Sequence, residues 1–272
     1  MGPELQQAIT ELYETFSVYS RPAFIEGCEC CWGGEGALPV HEGAVRGSVR
    51  VRAPGGSRPL QDLAATEISN VAAEVPLTAG TIEVFKHYLP RIFEIAAEDG
   101  FDWPDLEVVV SRLNLDESIG GRLWDQWPSR EQDAARAYLR ALWRERIATE
   151  DVEGSEDGID SALCAIALVE PTVDWYLTEW LRFETPAVGR NFERFLQANL
   201  RSITKGKLGN AFWTADSPTA MANATEVLEW LRSEETRQRV SEAADRARTP
   251  EEREALEECY LRWLPACSGP SF

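Results

Sequence analysis

The chain has 272 residues, with ten Trp, ten Phe, 44% hydrophobic content and a formal net charge of −19. That charge argues against nucleic-acid binding through a broad basic surface, and no apolar run reaches the roughly 18 residues of a membrane span. The first residues lack the basic-then-apolar order of a secretory signal, so the expected compartment is the cytoplasm.

The first element is a helix over residues 3 to 19. Pro3 suits a first turn, and Leu5, Ile9, Leu12, Phe16 and Tyr19 recur at three- and four-residue spacing. Pro22 stops it. Gly27-Cys28-Glu29-Cys30-Cys31-Trp32-Gly33-Gly34 then has glycine on both sides and little periodicity, which reads as a loop. The Gly/Pro-rich stretch from Gly43 to Gln61 carries Arg46, Arg50, Arg52 and Arg58 and no acid. Val45, Val49 and Val51 suggest at most a scrap of strand, and 43–58 is expected as a mobile loop. Its arginines are either solvated or a contact for phosphate or an acidic surface.

From Asp62 the expectation is helix to the end. Leu63, Ile68 and Val71 mark one helix, which ends before Pro76. The central helix is Thr81 to Asp99, with Ile82, Phe85, Leu89, Ile92, Phe93 and Ala96 on one face. Pro90 removes a backbone donor inside it and should kink it near Lys86. Pro104 opens a short helix, and Leu123, Trp124 and Trp127 suit another turn or two. Ser129 and Gln132 fit a capping box for a helix to Thr149 that buries Tyr138, Leu139, Leu142 and Trp143.

Residues 150–157 hold five acids in eight positions. They are the best internal boundary in what otherwise reads as a single helical domain over 1–272, dividing it into 1–149 and 158–272. Ile159 to Val169 is apolar nearly all round, as a buried helix should be, and Cys164 is a core residue there. Helices follow from Pro171, from Thr185-Pro186, from Ser217-Pro218 with Met221, Ala224, Leu228 and Leu231 inward, and from Thr249-Pro250 with Leu256, Cys259, Tyr260 and Trp263 inward. Lys205 to Asn210 resembles a phosphate loop only superficially and reads as a helix-ending turn. The sum is an all-α fold of about ten antiparallel helices, a multi-helix bundle or an irregular α-solenoid.

Six cysteines are present, and Cys28, Cys30 and Cys31 crowd into four residues. This is not the dispersed spacing of a disulfide framework. Cys28 and Cys31 form a C-x-x-C pair that can clamp one zinc ion, with Cys30 as a third ligand. A closed structural site needs a fourth, from His41, His87 or a distant cysteine. The alternatives are unligated reduced thiols or a redox role. For His87, ordinary hydrogen bonding on a helix flank competes with ligation.

The segments Gly27-Cys28-Glu29-Cys30-Cys31, Arg58-Pro59-Leu60-Gln61-Asp62-Leu63 and Phe85-Lys86-His87-Tyr88-Leu89-Pro90-Arg91 together resemble an uncharacterised bacterial helical family. Its pattern is GCxCC, then a PLR-x-L element, then an F-x-x-FLPR helix. The likeness covers about residues 10 to 100 and, loosely, the remainder. Tyr88 stands where the pattern has Phe, and a long Gly/Arg insertion precedes Arg58. The resemblance implies a helical fold and lends weight to the cysteine segment; it implies no activity.

No Walker loop, dinucleotide fingerprint, zinc-protease motif or nucleophile elbow appears, and two histidines leave little scope for histidine catalysis. The expected function is therefore a non-enzymatic, acidic protein-interaction protein, of immunity or antitoxin type, that binds a basic protein partner. The alternative is a zinc-dependent or thiol-redox enzyme that uses Cys28, Cys30 and Cys31.

Overall fold

The computed structural model describes residues 1–33, 37–39, 47–114, 123–149, 158–182, 186–213, 217–247, 249–250, 253–254 and 257. The protein is an all-α, multi-helix fold with one small antiparallel sheet near its N-terminus. It packs as two compact units, Met1–Tyr138 and Leu139–Phe272. The acidic segment 150–157, the expected boundary, lies outside the described residues, as does most of the expected final helix. Among the described residues no helix is long and apolar enough to cross a membrane.

The first unit is organised on one helix. Helix α1 (Pro3–Phe16) begins at Pro3, whose missing N–H is no loss in a first turn. It buries Leu5, Ile9, Leu12 and Phe16. The sheet comprises β1 (Phe24–Cys28), β2 (Leu38–Pro39) and β3 (Ser48–Arg52), with the four-residue helix α2 (Glu29–Trp32) between β1 and β2. Helix α3 (Ala65–Glu74) starts where the Glu67 carboxylate accepts the Ala64 N–H. Helix α4 (Ile82–Ala97) is the expected central helix, capped by Thr81, whose side chain accepts the Val84 N–H. It buries Phe85, Tyr88, Leu89, Ile92 and Phe93, and both α1 and α3 pack on it. Pro90 sits inside α4 without ending it. Helix α5 (Leu106–Ser111) follows.

Helix α6 (Ser129–Ala148) begins one residue earlier in its turn than a Ser129 cap requires. Ser129 is inside the helix, and the Gln132 amide donates to the Trp127 carbonyl at 2.8 Å. The expected capping box therefore does not form, because Pro128 already supplies the first helical acceptor, to Glu131 and Gln132.

A buried ion pair ties α4 to the start of α6. Lys86 Nζ lies 2.7 Å from Glu131 Oε2, with both side chains under one-tenth exposed. The Tyr19 hydroxyl donates to Glu131 Oε1 at 2.5 Å, and the ammonium sits 4.1 Å from the Trp127 ring centroid. Further along, Tyr138 stacks on Phe93 at 4.3 Å between centroids and donates to the Phe93 carbonyl at 2.7 Å.

The second unit holds α7 (Gly158–Val169), α8 (Asp174–Arg182), α9 (Pro186–Ile203), α10 (Pro218–Arg232) and α11 (Glu234–Asp245). Helix α7 is buried from Ile159 to Val169 except at Ser161, as its all-round apolar sequence requires, and Cys164 is in its core. Trp180 is the aromatic centre: Trp143, Phe192, Phe195 and Trp230 lie 5.2 to 5.8 Å from it between centroids.

Two asparagines close helix C-termini from neighbouring helices. Asn191 Nδ2 on α9 meets the carbonyls of Arg146, Ile147 and Thr149 at 2.9, 3.3 and 3.2 Å. Asn223 Nδ2 on α10 donates to the Ala167 and Glu170 carbonyls, both at 2.9 Å. Each satisfies acceptors that a helix end leaves without an intrahelical partner. After α9, Gly206 adopts a positive φ of 72° and ends the helix as expected of Lys205 to Asn210.

One expectation is corrected here. Met221 is 48% exposed; Ala220 and Asn223 point inward instead, beside the expected Ala224, Leu228 and Leu231. Within the helical stretch expected from Asp62, α11 is a helix that apolar spacing does not delimit, because only Thr236, Val240 and Ala244 are buried along it. Its N-terminus is nevertheless capped by Ser233, whose side chain accepts the Thr236 N–H at 3.1 Å.

Candidate metal centre

The cysteine segment is not a free loop. Strand β1 is paired along its whole length with β3, from Phe24 opposite Arg52 to Cys28 opposite Ser48. The expected mobile stretch thus contributes an ordered strand, with Val49 buried. The period-2 pattern explains the pairing: Ile25 and Val49 turn inward while Phe24, Glu26, Arg50 and Arg52 turn outward. The other edge of β1 is tied to the segment before α4. Cys28 N donates to the Thr78 carbonyl at 3.2 Å, and Gly80 N donates to the Glu26 carbonyl at 2.7 Å.

Gly27 lies between these two lines of bonds and bridges Ala79. A Cβ there would stand 2.7 Å from the Ala79 Cβ and 3.0 Å from the Trp32 ring. Only glycine lets Trp32 fold back over the strand. That fold-back is α2, one turn that begins at Cys28 and lifts Cys30 and Cys31 beside it. The Glu29 N–H donates to the Gly47 carbonyl at 2.6 Å, which fixes the turn to the start of β3. Gly47 itself has a φ of 85°.

The three thiols converge. Cys28 Sγ is 3.2 Å from Cys30 Sγ, which is 3.6 Å from Cys31 Sγ, and all three sulfurs lie within 4.8 Å of one another. Cys30 and Cys31 are exposed and Cys28 is partly so. Hydrogen bonds from the Cys31 and Cys30 thiols hold Cys28 below the ordinary thiol range. Cys31 is pushed up to about 12 by its hydrogen bonds with Cys28 and Cys30. The thiols are thus linked to one another by hydrogen bonds. A group of this kind can hold a metal ion.

Comparison with known proteins finds no matching family model, curated protein or solved structure.

Of the two histidines expected as further ligands, one is described. His41 lies outside the described residues. His87 does not belong to the cysteine group. Its Nδ1 is 2.8 Å from the Tyr19 carbonyl, and its Nε2 accepts from Arg21 Nε at 3.3 Å. Both ring nitrogens are engaged in a neutral imidazole, so His87 has no lone pair to offer a metal. Burial, and then the Arg21 charge, lower its pKa from the usual histidine value. The ordinary hydrogen-bonded histidine is what α4 carries.

The arginine stretch resolves into separate roles. Arg58 pairs with Glu67. Arg50 and Arg52 lie against the Phe24 ring, 5.1 and 5.8 Å from its centroid. Arg21 Nη1 donates to the Gly56 and Arg58 carbonyls at 2.8 and 2.7 Å, which ties the 55–58 turn to the segment between α1 and β1. Arg46 lies outside the described residues.

The Lys86–Glu131–Tyr19 group is a buried polar constellation that sequence reasoning missed. Its signal was faint: Lys86 falls on the apolar face of α4 between Phe85 and Leu89, and Glu131 follows a proline and a serine as an ordinary first-turn acid.

Proposed function

We propose that Cys28, Cys30 and Cys31 hold one zinc ion in a structural role. The observation that carries this reading is the convergence of three sulfurs within 4.8 Å on a base of paired backbone. Zinc–sulfur bonds of about 2.3 Å in tetrahedral geometry require sulfurs roughly 3.7 Å apart. The distances of 3.2 and 3.6 Å approach that without backbone movement. A zinc there would fasten α2 to β1 and so keep Trp32 over Gly27. The fourth ligand is His41, a distant cysteine or water, and a protein ligand or water there separates a closed structural site from an open one. The enzyme reading, zinc-dependent or thiol-redox, requires an open position or an exchangeable thiol pair at this same cluster.

Elemental analysis of the purified, untagged protein tests the proposal. One zinc per chain is expected, and its loss in a Cys28→Ser/Cys31→Ser variant. Zinc retained in a His41→Ala/Cys259→Ser/Cys267→Ser variant assigns the fourth position to water. Absence of zinc from protein refolded with excess zinc, with every thiol reactive, overturns it.

A second reading concerns the surface. The chain carries 46 acidic against 27 basic residues, and this balance favours a basic protein partner over an acidic one. In that reading the protein is a non-enzymatic interaction protein of immunity or antitoxin type in the cytoplasm, and the zinc only shapes its sheet. Retrieval of one basic protein from the native host, released by salt, is expected. A chain that elutes alone at low ionic strength counts against it.

A further inference from the structure

The three thiols meet the requirements of a trivalent metalloid more fully than those of zinc. Among the described residues no fourth histidine, cysteine or carboxylate joins the group. His87 is engaged elsewhere, and the Glu29 carboxylate is turned toward Gly47, 3.9 Å from where a Cβ would stand. Zinc must complete its shell from outside this set. A trivalent arsenic centre needs no fourth ligand, because its own lone pair occupies that direction and its three bonds point to one side. Its bond angles are narrower than tetrahedral, so the three sulfurs it binds stand closer together. Two of the three contacts, 3.2 and 3.6 Å, lie on the short side of a tetrahedral edge, and the third pair of sulfurs is within 4.8 Å.

Charge points the same way. Three thiolates around a divalent ion leave a net negative complex; around a trivalent one they leave a neutral complex. The segment already carries Glu26 and Glu29, both exposed, in a chain of net charge −19. A neutral product adds no repulsion to that surface. The exposure of Cys30 and Cys31 gives a small uncharged solute direct access, and paired backbone on both edges of β1 holds the sulfurs in place beforehand.

We propose that Cys28, Cys30 and Cys31 form a tridentate site for trivalent arsenic, taken up as arsenous acid. Three arsenic–oxygen bonds break and three arsenic–sulfur bonds form. Each thiol proton leaves with one hydroxyl as water, and neither arsenic nor sulfur changes oxidation state. The inference rests on the reading that the three thiols act as one ligand set, but it does not need zinc to be the resident ion.

The test uses the full-length, reduced, metal-free chain, titrated with sodium arsenite and, separately, with zinc. Expected are a saturable near-ultraviolet sulfur-to-arsenic absorption and a native mass increased by one arsenic less three hydrogens. Each of Cys28→Ser, Cys30→Ser and Cys31→Ser should weaken arsenite binding by about a hundredfold or more, the effective-concentration gain of one tethered ligand. A Cys259→Ser/Cys267→Ser variant should keep the adduct. A wild-type adduct that retains a hydroxyl, and so uses only two thiols, overturns the inference without recourse to any variant. Zinc binding without arsenite binding overturns it and spares the zinc reading. Arsenite binding without zinc binding supports it and removes the zinc reading. Binding of neither removes both.

Discussion

Replacement of Lys86 by methionine keeps the aliphatic stem of the side chain and deletes its charge. The residue is 7% exposed, and its ammonium lies 2.7 Å from a Glu131 carboxylate that is equally buried. Glu131 Oε2 has no well-aligned hydrogen bond, so it relies on the charge of Lys86. In Lys86→Met the carboxylate keeps only the Tyr19 hydroxyl and stands uncompensated in the interior. Breaking a buried pair in this way costs about 3–5 kcal/mol. Loss of the ammonium from the Trp127 face, 4.1 Å away, adds about 0.5–2 kcal/mol. For a unit of this size the urea midpoint should fall by roughly 2 M. The assay is urea denaturation followed by hydrogen exchange of α4 and α6 peptides, so that the first unit is read separately from the second. Lys86→Met/Glu131→Leu removes both charges and should regain most of the loss, since an apolar replacement of a buried pair is often neutral or better. Additive single changes, or a Lys86→Met penalty within about 1 kcal/mol, would refute the argument that these charges are desolvated and mutually dependent.

Three further outcomes are expected. His87 has a folded-state pKa below its unfolded value near 6.5. The folded protein therefore binds fewer protons than the unfolded chain as pH falls below about 6.5, and stability drops there until the folded pKa is passed. A His87→Gln variant should lose less stability between pH 7 and pH 5, measured by urea midpoints; an equal loss in both proteins contradicts this. Gly27→Ala should push Trp32 or Ala79 aside and cost about 1–3 kcal/mol, with faster thiol modification of Cys28, Cys30 and Cys31 as the local readout. Asn223→Ala strips the Ala167 and Glu170 carbonyls of a buried donor and should cost about 1–3 kcal/mol. Unchanged exchange at the end of α7 would count against a capping role.

The helices were legible where apolar spacing was dense. Helix α4 shows Phe85, Leu89, Ile92 and Phe93 on one face in the sequence and buries all four. Helix α7, apolar all round, is buried all round but for Ser161. Helix α11 was hidden because it rests on little more than Val240 and Ala244, and its serine cap is a weak signal without a periodic run behind it. The sheet was hidden for a different reason. Strands of two and five residues give few alternations, and the partner of β1 lies across a Gly/Pro-rich stretch whose composition argues for a loop. The cysteine group was legible as a spacing, but its convergence depends on Gly27 admitting Trp32, a steric fact with no periodic trace. His87 could not be assigned from its position on α4, since its partners, the Tyr19 carbonyl and Arg21, come from the segment that follows α1.

The asparagine caps bear on the order in which the second unit can be completed during synthesis. Helix α7 leaves the ribosome with its last carbonyls bare, and the side chain that covers them is Asn223, 56 residues beyond Ala167 and 53 beyond Glu170. The end of α6 waits likewise for Asn191, 42 to 45 residues later. Until those residues emerge, both helix ends must stay hydrated, so their last turns fray while the N-terminal parts consolidate. A stalled nascent chain in which Asn191 has left the exit tunnel and Asn223 has not should therefore have its α6 end closed and its α7 end still open to protease.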